Sequence, residues 1–140
     1  LRELDDEQVR FLVSCARNAR FDNGAFLFRE GEEANALFLI RQGRVALEVN
    51  VPGRGPTQVE SLREGDVLGW SWLFPPYRWQ LDARAVEPVL TLVLDARCVR
   101  EKMESNHDLG YALAKPLLAH MHQRLERVRM QRLDVFREGT

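Results

Sequence analysis

Two stretches decide how the chain is read: FREGEEANALFLIRQGRVAL, residues Phe28–Leu47, and LREGDVLGWSWL, residues Leu62–Leu73. Both string short apolar runs between glycines, the rhythm of strands rather than of a helix. In RVALEV, Val45, Leu47 and Val49 point one way and Ala46 and Glu48 the other. Gln42-Gly43, between ALFLIR and RVALEV, reads as a hairpin turn. The same rhythm extends outward from about Arg20 to Ala96, through FDNGAFLF, TQVESL, QLDARA and VLTLVL. Asn23-Gly24 marks a tight turn, and VPGRGP (Val51 to Pro56) is a loop. Many short strands at roughly ten-residue spacing predict a sandwich or small barrel.

Helical periods flank this core. Asp5 and Gln8 are spaced as a capping pair, and Val9, Leu12, Val13 and Ala16 follow at helical intervals, predicting an N-terminal helix within residues 1–19. Ala96 to Ser105 reads as a short helix, and a longer one starts near Asn106, with Ser105 and Asp108 spaced as a capping box. Leu113, Leu117, Met121, Leu125 and Val128 form a stripe along it, and Val135 and Phe136 close it. Pro116 removes one backbone hydrogen bond and predicts a kink or restart. The organisation is one domain over 1–140, with strands at 20–96 and the C-terminal helices at 97–136.

Composition narrows the function classes. A net charge of −1 gives no global pull towards nucleic acid or an anionic membrane. No apolar run approaches the ~20 residues of a membrane-spanning helix, and the opening LRELDDEQ is too acidic for a secretory signal. Cys15 and Cys98 lie unpaired in apolar-periodic segments and read as ordinary buried thiols, which places the protein in the cytoplasm.

The order of helix, strands and two helices, with the two stretches quoted above, resembles the cyclic-nucleotide-binding domain family from about Leu4 to about Phe136. Catabolite-activator sensor domains and kinase regulatory domains are its best-known members. Gly31-Glu32 with Ala36-Leu37-Phe38-Leu39-Ile40 looks like the family's glycine–acid turn and strand; Gly43 to Leu47 looks like its next turn and strand. Gly65-Asp66-Val67-Leu68-Gly69 looks like the entry to its phosphate-binding cassette, here residues 65–85. The resemblance implies a mainly β fold with flanking helices, a double-stranded β-helix (a jelly-roll-like β-roll). It also implies a non-catalytic regulatory module that binds a cyclic nucleotide or another small anion, and a homodimer through Leu113, Leu117, Met121, Leu125 and Val128. The alternative is a stripe folded back on its own barrel in a monomer.

The family's ligand chemistry implies a glutamate after Gly69 for the ribose hydroxyl and, about ten residues on, an arginine for the phosphate. Here the first position is Trp70, an indole that donates but does not accept. Setting Ala83-Arg84-Ala85 on the family's corresponding tripeptide puts Trp79 at the arginine, Gln80 at the following Ser/Thr and Leu81 at the Ala. Arg78 is one place early and serves if the Pro75-Pro76 loop absorbs the extra residue. A missing phosphate contact forfeits roughly 1.5–3 kcal/mol and the ribose bond about 1 more, so affinity falls by about 10²–10³. The candidate ligand set is Gly69, Trp70, Ser71, Trp72, Arg78, Trp79 and Gln80. Either the indoles line a remodelled pocket for a planar anion, or they plug a vacated one in a dimerising or partner-docking module.

Other constellations carry less. His120-Met121-His122 falls on a helix, where residues two apart do not converge on a metal, and His107 stands apart from them. Ser14, Ser71 and Ser105 lack a nucleophile elbow, so no enzyme is expected. RLERVRMQR (Arg124 to Arg132) reads as a solvated helix face. Too few residues follow Phe136 for a helix-turn-helix, so direct DNA reading by this chain is not expected.

Overall fold

The computed structural model describes residues 5–138, with side chains described as far as residue 130, so Val135 and Phe136 at the end of the expected stripe lie outside the described side chains. The element order is α1 (Asp6–Val13), β1 (Ala16–Phe21), β2 (Phe26–Phe28), β3 (Ala36–Gln42), β4 (Arg44–Val51), β5 (Gly55–Arg63), β6 (Asp82–Ala85), β7 (Val89–Asp95), α2 (Ala96–Ser105) and α3 (His107–Glu138). The strands form two antiparallel sheets, ordered β1-β7-β3 and β2-β6-β4-β5. This is the mainly β roll with flanking helices that the sequence predicts.

The capping box of α1 is present: the Asp5 carboxylate accepts from Gln8 N at 2.8 Å, and the Gln8 side chain accepts from Asp5 N. The helix is shorter than expected. It stops at Val13, and the chain from Ala16 is already a strand, paired Ala16 to Leu94 and Phe21 to Val89. Sheet pairing with the apolar β7 outcompetes the local helical spacing there.

Gln42-Gly43 is not a hairpin. β3 pairs with β7, whereas β4 pairs with β5 and β6, so Gly43 is a corner where the chain changes sheets. Its φ is +99°, and a Cβ there would stand 2.3 Å from the Pro88 carbonyl oxygen. Only glycine fits both the backbone and the space. The hairpin lies at VPGRGP, where Val51 pairs with Gly55 across the turn and Pro56 already belongs to β5.

β4 also departs from simple alternation. Val45, Ala46, Leu47 and Glu48 are all buried, and a bulge separates Leu47 from Glu48. Glu48 is admitted to the interior by a two-pronged ion pair, with Arg84 Nε and Nη2 donating to its two oxygens at 2.9 and 3.1 Å. The Arg84 hydrogen bond holds the Glu48 carboxyl below its ordinary value, outweighing the opposing effect of burial. Because the folded value is depressed, this stabilisation is present above the ordinary glutamate value near 4.5 and is lost as pH falls through the folded value. Glu48→Gln is therefore expected to flatten the acid limb of a stability-against-pH curve while also lowering stability at neutral pH. An unchanged acid limb in urea unfolding would reject the assignment.

Cys15 and Cys98 are not free thiols: they form a disulfide, which removes the ground on which a cytoplasmic location was expected. Asp95 N donates to Cys15 O at 2.9 Å, and α2 turns back from Asp95, so Cys98 returns over Cys15. A contact between residues 83 apart is set by that return of the chain and has no spacing signature.

Asp95 caps α2 by accepting from Cys98 N at 2.9 Å. The cap of α3 is Asn106, whose Oδ1 accepts from Leu109 N at 3.1 Å, rather than the expected Ser105–Asp108 pair. Ser105 Oγ instead donates back to Lys102 O, completing the end of α2. α3 continues through Pro116 without restarting. The core between the sheets and beneath α2 and α3 is built from residues such as Leu37, Ile40, Val45, Val89, Val99 and Leu109.

Candidate ligand site

The segment between β5 and β6 is held against β3 at its entry. Gly65 N donates to Ile40 O, Ile40 N to Asp66 O and Leu68 N to Phe38 O, at 2.9–3.0 Å. Asp66 closes the turn by accepting from Arg63 N at 2.9 Å. Gly69 follows with φ +69°, and a Cβ there would meet Trp79 at 3.2 Å. Its lack of a side chain lets the next turn pass over the indole. Residues 70–73 make one turn, closed by Leu73 N donating to Trp70 O at 3.0 Å. Among the described residues, the N–H groups of Trp70, Ser71 and Trp72 appear in none of the backbone bonds that close it. Successive free amides in one turn are suited to an anion.

The exit of the segment pairs with residues 31–34. Ala34 N donates to Tyr77 O at 2.7 Å, Trp79 N to Glu32 O at 3.0 Å and Gly31 N to Trp79 O at 2.9 Å. Extended pairing alternates the side chains. Trp79 is buried, stacked on Phe28 with ring centroids 3.7 Å apart, while Arg78 is exposed, its Nη1 donating to Gly31 O at 3.3 Å. The Pro75-Pro76 peptide is cis.

The three indoles therefore have different duties. Trp72 is fully buried, and its Nε1–H has no acceptor among the described residues. Trp79 occupies core space. Trp70 is half-buried, tilted against Trp72 at 6.0 Å, and forms part of a cleft wall. The filling by Trp72 and Trp79 does not close the cleft, which has a volume of about 830 Å³, within the roughly 300–1,000 Å³ typical of small-molecule sites.

Of the expected ligand set, Gly69, Trp70, Ser71, Arg78, Trp79 and Gln80 line this cleft, and Trp72 does not. Sequence reasoning missed three further contributors. Arg63 at the end of β5, and His120 and Arg124 of α3, also line it. His120 Nε2 lies 3.9 Å from Glu60 Oε2, joining α3 to β5 at the cleft. Arg63 was hidden inside a turn motif and Arg124 inside a basic helix face, so only the docking of α3 brings them to one place. His122 is exposed on the same helix, away from the His120–Glu60 contact.

A model of the cyclic nucleotide-binding domain matches residues 19–106. The chain belongs to the cyclic nucleotide-binding domain family. Among solved structures, this domain is similar to a putative cyclic nucleotide-binding protein from Geobacter metallireducens, at 30% identity, TM-score 0.77 and coverage of 89% of this chain and 90% of that one. The catabolite activator protein of Thermus thermophilus shares its fold at TM-score 0.77 and 22% identity, over 91% of this chain and 60% of that one. The anaerobic regulatory protein of Bacillus subtilis is 23% identical over 90% of this chain and 53% of its own length. Human cGMP-dependent protein kinase 2 is 26% identical over 49% of this chain and 9% of the kinase. The domain thus spans only part of these curated relatives.

Proposed function

We propose that this domain is a non-catalytic sensor module whose cleft takes a small anionic, nucleotide-like ligand in an altered form of the family's binding mode. The observation that carries the reading is an open cleft with Arg78 at its rim and Trp70 and Ser71, whose amides make no backbone bond among the described residues, in its wall, but with an indole where the family resemblance implies an acceptor for a sugar hydroxyl. The anion would sit on the turn amides, the Ser71 hydroxyl and Arg78, with a planar group against Trp70. The test is calorimetry with cyclic AMP, cyclic GMP and cyclic dinucleotides. Removing a charge-assisted contact of roughly 1.5–3 kcal/mol makes Arg78→Gln about 10- to 100-fold weaker for whichever ligand binds. Absence of heat from all of them at millimolar concentration would sink the reading.

The burial of Trp72 and Trp79 favours a second reading, a ligand-free docking or dimerisation module. Trp70→Glu separates the two. Trp79→Arg is unsuited to the purpose, because it would place an unpaired guanidinium against Phe28 in the core. If cyclic AMP binds only after Trp70→Glu, the wild-type site is closed to it.

Dimerisation through α3 belongs to the same proposal. Leu113 and Leu117 are buried against the domain, while Met121, Leu125 and Val128 are exposed. The stripe therefore divides into a core half and a half suited to a second copy. These side chains are already about half covered, so covering the rest of each contributes roughly 1 kcal/mol. Met121→Glu with Leu125→Glu is expected to convert a dimer to a monomer in sedimentation velocity, with thermal stability of the monomer unit retained.

A further inference from the structure

We propose that the Cys15–Cys98 disulfide is a thiol-exchange site whose state is transmitted to the ligand cassette through α2. Four observations converge on that short helix. Cys98 joins it covalently to Cys15, between α1 and β1. Two residues further on, Arg100 Nη1 donates to Trp72 O at 2.6 Å, and its guanidinium lies over the Tyr77 ring at 4.1 Å. Trp72 and Tyr77 belong to the cassette segment. At its far end, Met103 packs within 3.2 Å of the place where a Cβ on Gly110 of α3 would stand. α2 is therefore fastened to the sheet by a covalent link, to the cassette by one arginine and to α3 by close packing.

The covalent link is chemically reversible, whereas the others only follow where α2 goes. Cys98 is half-buried and Cys15 buried, so exchange begins at Cys98. A thiolate of a reducing dithiol bonds to Cys98 Sγ as the Sγ–Sγ bond breaks, and Cys15 Sγ leaves with the electron pair and is protonated. The reductant's second thiolate then attacks its own sulfur in the mixed disulfide, releasing Cys98 as a thiol. Two electrons and two protons have passed to the chain, and the dithiol has become a disulfide. In a reducing compartment such an exchange is available to any accessible disulfide.

Once the link is open, α2 keeps its buried Ala96 and Val99 and its junction with β7, where Asp95 N still donates to Cys15 O, but the turn that carries Cys98 and Arg100 is no longer tied covalently to residue 15. The movement reaches the cassette at the Arg100–Trp72 bond. Trp72 reports it directly, since it is fully buried with an Nε1–H unpartnered among the described residues. This inference does not depend on which ligand fills the cleft.

The test measures amide hydrogen exchange and tryptophan emission on the intact chain equilibrated with oxidised and reduced dithiothreitol, with the thiol count followed by iodoacetamide labelling and intact mass. Expected are two alkylated cysteines only after reduction, a shift in tryptophan emission that follows the thiol count, and, at labelling times too short for global unfolding to contribute, a reduction-induced rise in exchange at residues 70–79 at least threefold larger than in β3 and β7. Arg100→Gln is expected to abolish the redox-dependent emission shift while the disulfide still titrates. Cys15→Ser with Cys98→Ser is expected to match the reduced wild type, which stands in for it if that variant does not fold. The inference is overturned if both cysteines alkylate before reduction. It is equally overturned if, at those labelling times, exchange rises uniformly across the domain, if the cassette is unchanged, or if Arg100→Gln retains the shift.

Discussion

Gly43→Val is expected to lower unfolding stability by roughly 2–6 kcal/mol. Forcing a side chain into a left-handed backbone costs about 1–3 kcal/mol, and overpacking a filled site about 1–3 more. Both apply, because φ is +99° and the obstructing atom is the backbone oxygen of Pro88 at 2.3 Å, with the Val89 Cα at 3.0 Å. Neither can be displaced cheaply, since Val89 is the first residue of β7, the central strand of its sheet. Total stabilities of such domains are about 5–15 kcal/mol, so a loss of this size removes a large share of the margin. The contrast is Gly53→Ala at the tip of the β4–β5 turn, where φ is also positive but no atom lies within 4 Å. Urea denaturation of the two variants separates strain alone from strain plus collision. Equal losses would mean that the corner is not packed as described.

Reduction of Cys15–Cys98 is expected to have a comparable effect on global stability. A chain-entropy account of a link spanning 83 residues predicts a loss of about 4–5 kcal/mol. For a domain of this size that corresponds to a fall in Tm of roughly 10–15 °C. Differential scanning calorimetry with and without reductant measures it. A Tm unchanged by reductant, with the thiols shown by mass to be free, would mean that the link contributes nothing to the folded state. In a reducing compartment the same bond would also be subject to exchange.

The legible part of the fold was the part carried by local patterns. Short apolar runs between glycines located β3, β4, β5 and β7, the Asp5–Gln8 pair located the start of α1, and the family resemblance of Gly65 to Gly69 located the cassette after β5. The candidate site was legible as a segment but not as a geometry. Sequence alignment placed Trp79 in a ligand seat, yet its side chain turns into the core, while Arg78, one residue earlier, remains at the rim. That difference depends on how residues 77–79 pair with 31–34, a non-local choice of register.

The sequence alone determined the class of architecture, because it is written in residue type and short-range spacing, and its resemblance to the family implied the position of the cassette and Trp70 in place of an acceptor. Only the tertiary structure decided that Gly43 turns a corner rather than a hairpin, that two cysteines 83 residues apart are bonded, and that Arg63, Arg78 and Arg124 border one cleft. Those outcomes are fixed by which distant segments dock together. Docking is governed by the burial of shared apolar surface, a property of pairs of elements that no single element carries.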